Sequence, residues 1–159
     1  ISMQPTEQGL AGASPAGIVY ARKRLWVANR DEQTVSRFYP ATFQEGSLPP
    51  IFVGQGPAAI AFGANAIWVA NKDDGTVTRI DRLDAAPSTR TIEVARGPTA
   101  VAYGDGAVWV ASESGTVSRI DPVSSKVVKE IEVGNAPSGI AFGEGLVWVT
   151  VQASAEPAT

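Results

Sequence analysis

The sequence predicts an all-β fold, a β-propeller of four-stranded antiparallel blades, and three observations predict it. Tryptophan recurs at positions 26, 68, 109 and 148, in steps of 42, 41 and 39 residues. Short strands repeating with a period of about 40 residues are the signature of a propeller blade. Each Trp also sits in the same phrase. A Gly-(x)-x-Pro or lone Pro leads into an apolar run, a tight turn, a run holding the Trp and, in the first three copies, a second turn and Thr-Val-Ser/Thr-Arg. Finally, no stretch of ten residues spaces its apolar positions at the helical period.

The units follow in order. The first, 15–53, opens at Pro15 and passes through Ile18-Val19-Tyr20, Leu25-Trp26-Val27-Ala28-Asn29 and Thr34-Val35-Ser36-Arg37-Phe38. It is the irregular copy, with Arg22-Lys23 in its first turn and a long last connection containing Pro40, Pro49 and Pro50. The second, 56–94, is the clearest: Gly56-Pro57, Ile60-Ala61-Phe62-Gly63, Ile67-Trp68-Val69-Ala70-Asn71, Thr76-Val77-Thr78-Arg79-Ile80-Asp81 and Thr91-Ile92-Glu93-Val94. The third, 97–133, repeats the scheme through Trp109, Thr116 to Asp121, and Val133. The fourth, 137–150, is partial and holds only two strands, through Phe142 and Trp148. Residues 7–12, Glu7 to Gly12, align with the outermost strand of a unit. The blades thus occupy 1–151, with 152–159 as a linker or tail, and amount to about 3.5 to 4 blades.

Within a unit, called A to D from the ring axis outward, the strands grade from apolar to mixed. Strand A (58–62) and strand B (67–70) are apolar throughout, as strands buried on both faces are. Strand C mixes Thr, Val and Arg, and strand D alternates. Asp74-Gly75 and Ser114-Gly115 suit tight hairpins that need positive φ, and Asp121-Pro122 suits a turn between C and D.

Composition narrows the chemistry. The 159 residues carry 44% apolar and 18% charged side chains and a net charge of −3, with no basic run longer than Arg22-Lys23-Arg24. A nucleic-acid partner is therefore not expected. No apolar stretch is long enough for a membrane-spanning helix. There is no Cys and no His, which removes thiolate nucleophiles, disulfides, zinc-thiolate sites and the commonest general base. No cofactor and no metal is expected. The first residue is Ile, and the chain reads as a piece of something longer.

The segments Gly56-Pro57, Ile60-Ala61-Phe62-Gly63, Ile67-Trp68-Val69-Ala70-Asn71 and Gly75-Thr76-Val77-Thr78-Arg79-Ile80-Asp81 together resemble the YVTN-type propeller repeat of bacteria and archaea. They are also similar to the repeats of virginiamycin B lyase-like and NHL propellers. The resemblance spans 7–149 and implies an exported or surface-exposed module of a longer bacterial protein. The lyase-like family works with a catalytic His and bound Mg²⁺. This chain has no His, so no catalytic residue carries over.

Candidate site residues cluster in the loops between strands B and C, on the rim where propellers bind ligands: Asn29, Arg30 and Asp31; Asn71, Lys72, Asp73 and Asp74; Ser112 and Glu113. The vicinal acids fall short of the oxygen set that Ca²⁺ needs and also suit turns. The amides Asn29 and Asn71 suit strand ends, bonding nearby backbone. Arg37, Arg79 and Arg119 share one position of strand C, where they would line an anion groove, pair with Asp81 or Asp121, or pack between blades. The four Trp are expected between blades.

The expectation is a non-catalytic, extracytoplasmic binding module recognising a protein, peptide or glycan on its rim. A carboxylate-based hydrolase or lyase using Asp73, Asp74 and Glu113, and a structural spacer, are the alternatives. An arc of this size exposes the apolar faces of its end blades. A two-fold pair of chains sharing one ring, a longer ring or a four-bladed closure would each cover them.

Overall fold

Two-residue turns set the geometry of every unit. Strands A and B are joined by Arg22-Lys23, Ala64-Asn65, Asp105-Gly106 and Glu144-Gly145, all with φ between 48° and 67° except Gly145 at 73°. This is the hairpin whose twist matches its flanking strands. Arg22 and Lys23 hold φ of 51° and 60° although neither is Gly or Asn, a conformation costing about 1–2 kcal/mol per residue. The irregular first copy therefore closes its hairpin as the others do.

The computed structural model describes residues 14–39 and 49–152, which form fourteen strands and no helix. Strands β1 (Pro15–Ala21), β2 (Arg24–Asn29), β3 (Thr34–Phe38) and β4 (Ile51–Phe52) make the first sheet. Strands β5 (Pro57–Gly63), β6 (Ala66–Asn71), β7 (Thr76–Asp81) and β8 (Ser88–Glu93) make the second. Strands β9 (Pro98–Gly104), β10 (Ala107–Ser112), β11 (Thr116–Asp121) and β12 (Lys126–Glu132) make the third, and β13 (Gly139–Gly143) with β14 (Leu146–Thr150) the fourth. Every sheet is antiparallel with its strands in chain order. The all-β architecture of four-stranded blades is thus what the chain adopts. The expected outer strand at 7–12, most of the long connection after Phe38, and the tail beyond Gln152 lie outside the described residues.

The A strands β1, β5, β9 and β13 stand side by side, each facing the next. Because side chains alternate across a strand, each blade buries one set against its predecessor and the other against its successor. Ile60, Phe62, Ile67 and Val69 join Trp26, Ala28 and Val35 of blade one in one apolar layer. Ala59, Ala61, Trp68 and Val77 join Val101, Val108 and Val110 of blade three in the next.

Strand A brings blades close by pairing an aromatic ring with a bare glycine. A Cβ on Gly63 would collide with the Tyr103 ring, and one on Gly104 with the Phe142 ring. In the same register Phe62 packs with Ala21, and Ile60 lies against Gly17.

The tryptophans carry a second repeated motif. Each indole Nε1–H donates to the carbonyl that ends strand A of its own blade: Ala21 and Gly63 at 3.0 Å, Gly104 at 3.1 Å and Gly143 at 3.3 Å. Across the sheet, Trp26 faces Arg37, Trp68 faces Arg79 and Trp109 faces Arg119. The guanidinium carbons lie 5.6, 5.2 and 5.5 Å from the ring centroids, within cation–π range. The strand C arginines are therefore structural. Arg79 also pairs with Asp81 at 2.8 Å and donates to Ser125 Oγ, at 2.8 Å, and the Pro122 carbonyl of blade three. Arg37 is buried and donates to the Pro49 carbonyl at 2.9 Å. Burial, then the nearby Arg24 charge, lowers its pKa from the ordinary arginine value. Asp121 caps its own turn, accepting from Val123 N, Ser124 N and Ser124 Oγ at 3.0, 3.1 and 2.6 Å.

Two outcomes follow. Trp68→Ala removes a fully buried ring and its hydrogen bond, and urea unfolding should show a loss of about 3–5 kcal/mol. The Ser124 hydroxyl, then the backbone N–H groups of its turn, lower the Asp121 pKa below its ordinary value. A depressed folded-state pKa stabilises above the unfolded pKa, and that stability is lost as pH falls through the folded value. Between about pH 5 and pH 2 the urea midpoint of the wild type should therefore fall further than that of Asp121→Asn.

Candidate functional site

The B–C loops inherit their position from strand B, and the D–A loops from the Gly-Pro that starts strand A. Backbone hydrogen bonds zip the two kinds of loop together. Lys72 N donates to Gly56 O at 2.9 Å and Asp73 N to Gln55 O at 3.2 Å. In blade three, Glu113 N donates to Gly97 O at 2.8 Å and Ser114 N to Arg96 O at 3.3 Å; in blade one, Arg30 N donates to Ser14 O at 2.9 Å. The B–C loops that carry Arg30, Asp31, Lys72, Asp73, Asp74 and Glu113 are thus each joined to the D–A loop before them.

The expected site residues differ in their roles. Asn29, Asn71 and Ser112 are fully buried, which corrects the expectation that they meet a ligand. They lie beneath the rim because strand B ends inside the blade, with strand C folded over it. Nor do the amides bond backbone as expected. Asn29 Nδ2 donates to Thr34 Oγ1 and Ser36 Oγ at 3.1 and 3.0 Å, and Asn71 Nδ2 to Thr76 Oγ1 and Thr78 Oγ1 at 3.0 and 2.8 Å. In blade three Ser is too short for this clasp, and Ser112 Oγ and Ser118 Oγ remain without a partner.

The charged residues form a ladder between blades. Arg30 of blade one reaches Asp73 of blade two at 3.5 Å, and Lys72 of blade two reaches Glu113 of blade three at 2.5 Å. Asp31 accepts from Ser14 Oγ at 2.5 Å, and Asp74 from Gln55 N at 2.6 Å. Asp31, Asp73, Asp74 and Glu113 therefore each hold a partner. Among the described residues, no group of three or more Asp, Glu, His or Cys is placed to hold a metal ion.

Between blades two and three the rim opens into a groove of about 470 Å³ lined by Lys72, Asp73, Arg96, Gly97, Glu113 and Ser114. Arg96 lies in a D–A loop, outside the B–C loops that carry the sequence-predicted site residues. Its signal was a charged residue directly before the Gly97-Pro98 that opens a blade. It is exposed and forms no ion pair among the described residues. An adjoining groove of about 450 Å³, lined in part by Asp73, Asp74 and Glu93, shares the same Arg96. Open, polar and two-signed, this surface suits holding a polar ligand rather than enclosing a reacting one.

No family model and no curated protein matches the sequence. Solved structures are similar in fold. The chain superposes on virginiamycin B lyase of Staphylococcus aureus with a TM-score of 0.74 at 17% identity, over 87% of this chain and 49% of that one. Hydrazine synthase of Kuenenia stuttgartiensis gives 0.73 at 17% identity, over 87% of this chain and 42% of that one. The computationally designed protein Ika4 gives 0.74 at 16% identity, over 92% of this chain and 94% of that one. At these identities the likeness is one of fold, and the chain spans less than half the length of the two natural proteins.

The buried clasp and the exposed ladder should respond differently to truncation. Asn71→Ala leaves the buried Thr78 hydroxyl and the half-buried Thr76 hydroxyl without this donor and should cost about 1–3 kcal/mol in urea unfolding. Lys72→Ala breaks a surface pair and should change stability by less than about 1 kcal/mol.

Proposed function

We propose that this propeller segment is a non-catalytic interaction module. It works outside the cytoplasm within a longer protein, and its rim recognises the acidic group of a protein, peptide or glycan partner. Arg96 carries this reading. In a groove whose other lining charges pair off, Lys72 with Glu113 and Asp73 with Arg30, its exposed guanidinium has no ion-pair partner among the described residues, with Asp74 and Glu93 lining the adjoining groove. A guanidinium matches a carboxylate with two parallel hydrogen bonds, so an acidic group gains both charge and geometry there. The resemblance of the repeat phrase to YVTN-type propellers, whose members are mostly exported, supports the extracytoplasmic part of this reading.

Binding is favoured over hydrolase or lyase chemistry by the state of the carboxylates. Asp73, Asp74 and Glu113 are engaged by Arg30, Gln55 N and Lys72, and Glu113 stands on a different blade from the other two. Catalysis by paired acids needs them convergent on one reacting atom.

Titration of the ¹⁵N-labelled chain with a glutamate-rich peptide and with an oligogalacturonate tests the proposal. At least one probe should shift the amides of Arg96, Gly97, Glu113 and Ser114. Arg96→Ala should weaken that binding about tenfold, the worth of one charge-assisted contact. No shift with either probe, or binding indifferent to Arg96→Ala, would overturn it.

A further inference from the structure

The aromatic-on-glycine register that joins the blades is left half-made at both ends of the arc. At the blade-one end, Ile18 and Tyr20 occupy the positions of Ile60 and Phe62. They point away from blade two and are 62% and 61% exposed. At the blade-four end, Gly143 occupies the position of Gly63 and Gly104. A Cβ there would meet nothing within 4 Å, whereas at Gly63 and Gly104 it would strike Tyr103 and Phe142. Gly139, matching Gly17, likewise has only its own blade's Thr150 beside it, where Gly17 meets Ile60 of the next blade. Trp148 keeps its hydrogen bond to the Gly143 carbonyl but is 59% exposed, while Trp26 and Trp68 are fully buried. Strands β1 and β13 do not face each other as successive A strands do, so among the described residues the two ends of one chain do not meet.

We propose that a second copy of this chain covers each end. Tyr20 of one copy seats on Gly143 of the other, Ile18 on Gly139, and the flank of blade one buries Trp148. Knob and seat sit in one register on one sequence, so a copy fits by repeating contacts the chain already makes internally: an aromatic ring on a glycine twice, between blades two and three and between three and four, and Ile60 on Gly17 between blades one and two. The contact is heterologous, but two arcs related by a two-fold axis make it twice and close. Size agrees: the chain spans 42% and 49% of two natural proteins of this fold, so two arcs make up roughly one such chain. A fold of this extent also accounts for 94% of a designed protein.

Light scattering across a concentration series, on the full 159-residue chain, decides this. The wild type should show twice 16.6 kDa, without a ladder of larger masses. Gly143→Val fills the seat in open space and at a φ outside the positive range, so the fold of each arc is kept. It should weaken dimerisation at least about tenfold. Tyr20→Lys removes the knob from the opposite end and should do the same, which keeps the test alive should the first variant misfold. Val123→Lys, at an exposed site away from both ends, should leave the dimer intact. A wild-type monomer at every concentration overturns the proposal. So does an open-ended ladder, or a dimer untouched by both Gly143→Val and Tyr20→Lys. Rim binding through Arg96 is read by a different experiment on a different surface, so either reading can fail alone.

Discussion

The blades approach as closely as they do because a flat aromatic ring on one A strand lies where the neighbouring strand has no side chain. Tyr103 over Gly63 and Phe142 over Gly104 leave no room for even a methyl group. Protein interiors are packed as densely as organic crystals, so this contact sets the spacing and tilt of successive sheets. The apolar layers of Trp26, Ile67 and Val69, and of Trp68, Val108 and Val110, fill the wedge that spacing defines. The outer strands then follow by ladder pairing.

A second constraint keeps each blade flat against its neighbour. The indole of strand B is held at its edge by the carbonyl ending strand A and covered on its face by the strand C arginine. The arrangement gives a buried polar N–H its acceptor and a half-buried cation a favourable surface. It also explains why Arg, not Lys, stands at that position in three blades: a planar guanidinium stacks on the ring while its edge donates outward, as Arg79 does to Asp81 and Ser125.

The rim chemistry is a by-product of this scaffold. Because the B–C loop of each blade is zipped to the D–A loop before it, the charged residues of neighbouring blades come within reach and neutralise one another. What the loops leave over is a polar groove with Arg96 in it. The same logic makes the ends of the arc unlike the rest of the surface. There the scaffold presents its own joining surfaces, Ile18 and Tyr20 at one end and Trp148 at the other, to solvent.

The repeat, the strands, the turns and the inter-blade places of Trp26 and Trp68 were legible in the sequence, because each rests on local rules: period two in a strand, positive φ in a hairpin, and a recurring phrase near 40 residues. Trp148, expected between blades as well, stands 59% exposed at the end of the arc. Also legible was the place of Arg30, Asp31, Lys72, Asp73, Asp74 and Glu113 in the loops between strands B and C. Sequence alone did not show that Asn29 and Asn71 are buried clasps bound to hydroxyls, since burial at a strand end depends on the strand folded over it. It did not single out Arg96, whose importance arises only when its neighbours pair off across blades. Nor did it separate Gly143 from Gly63 and Gly104. All three are the same letter in the same phrase, and only the packing of whole blades shows which glycine has a ring upon it and which stands open.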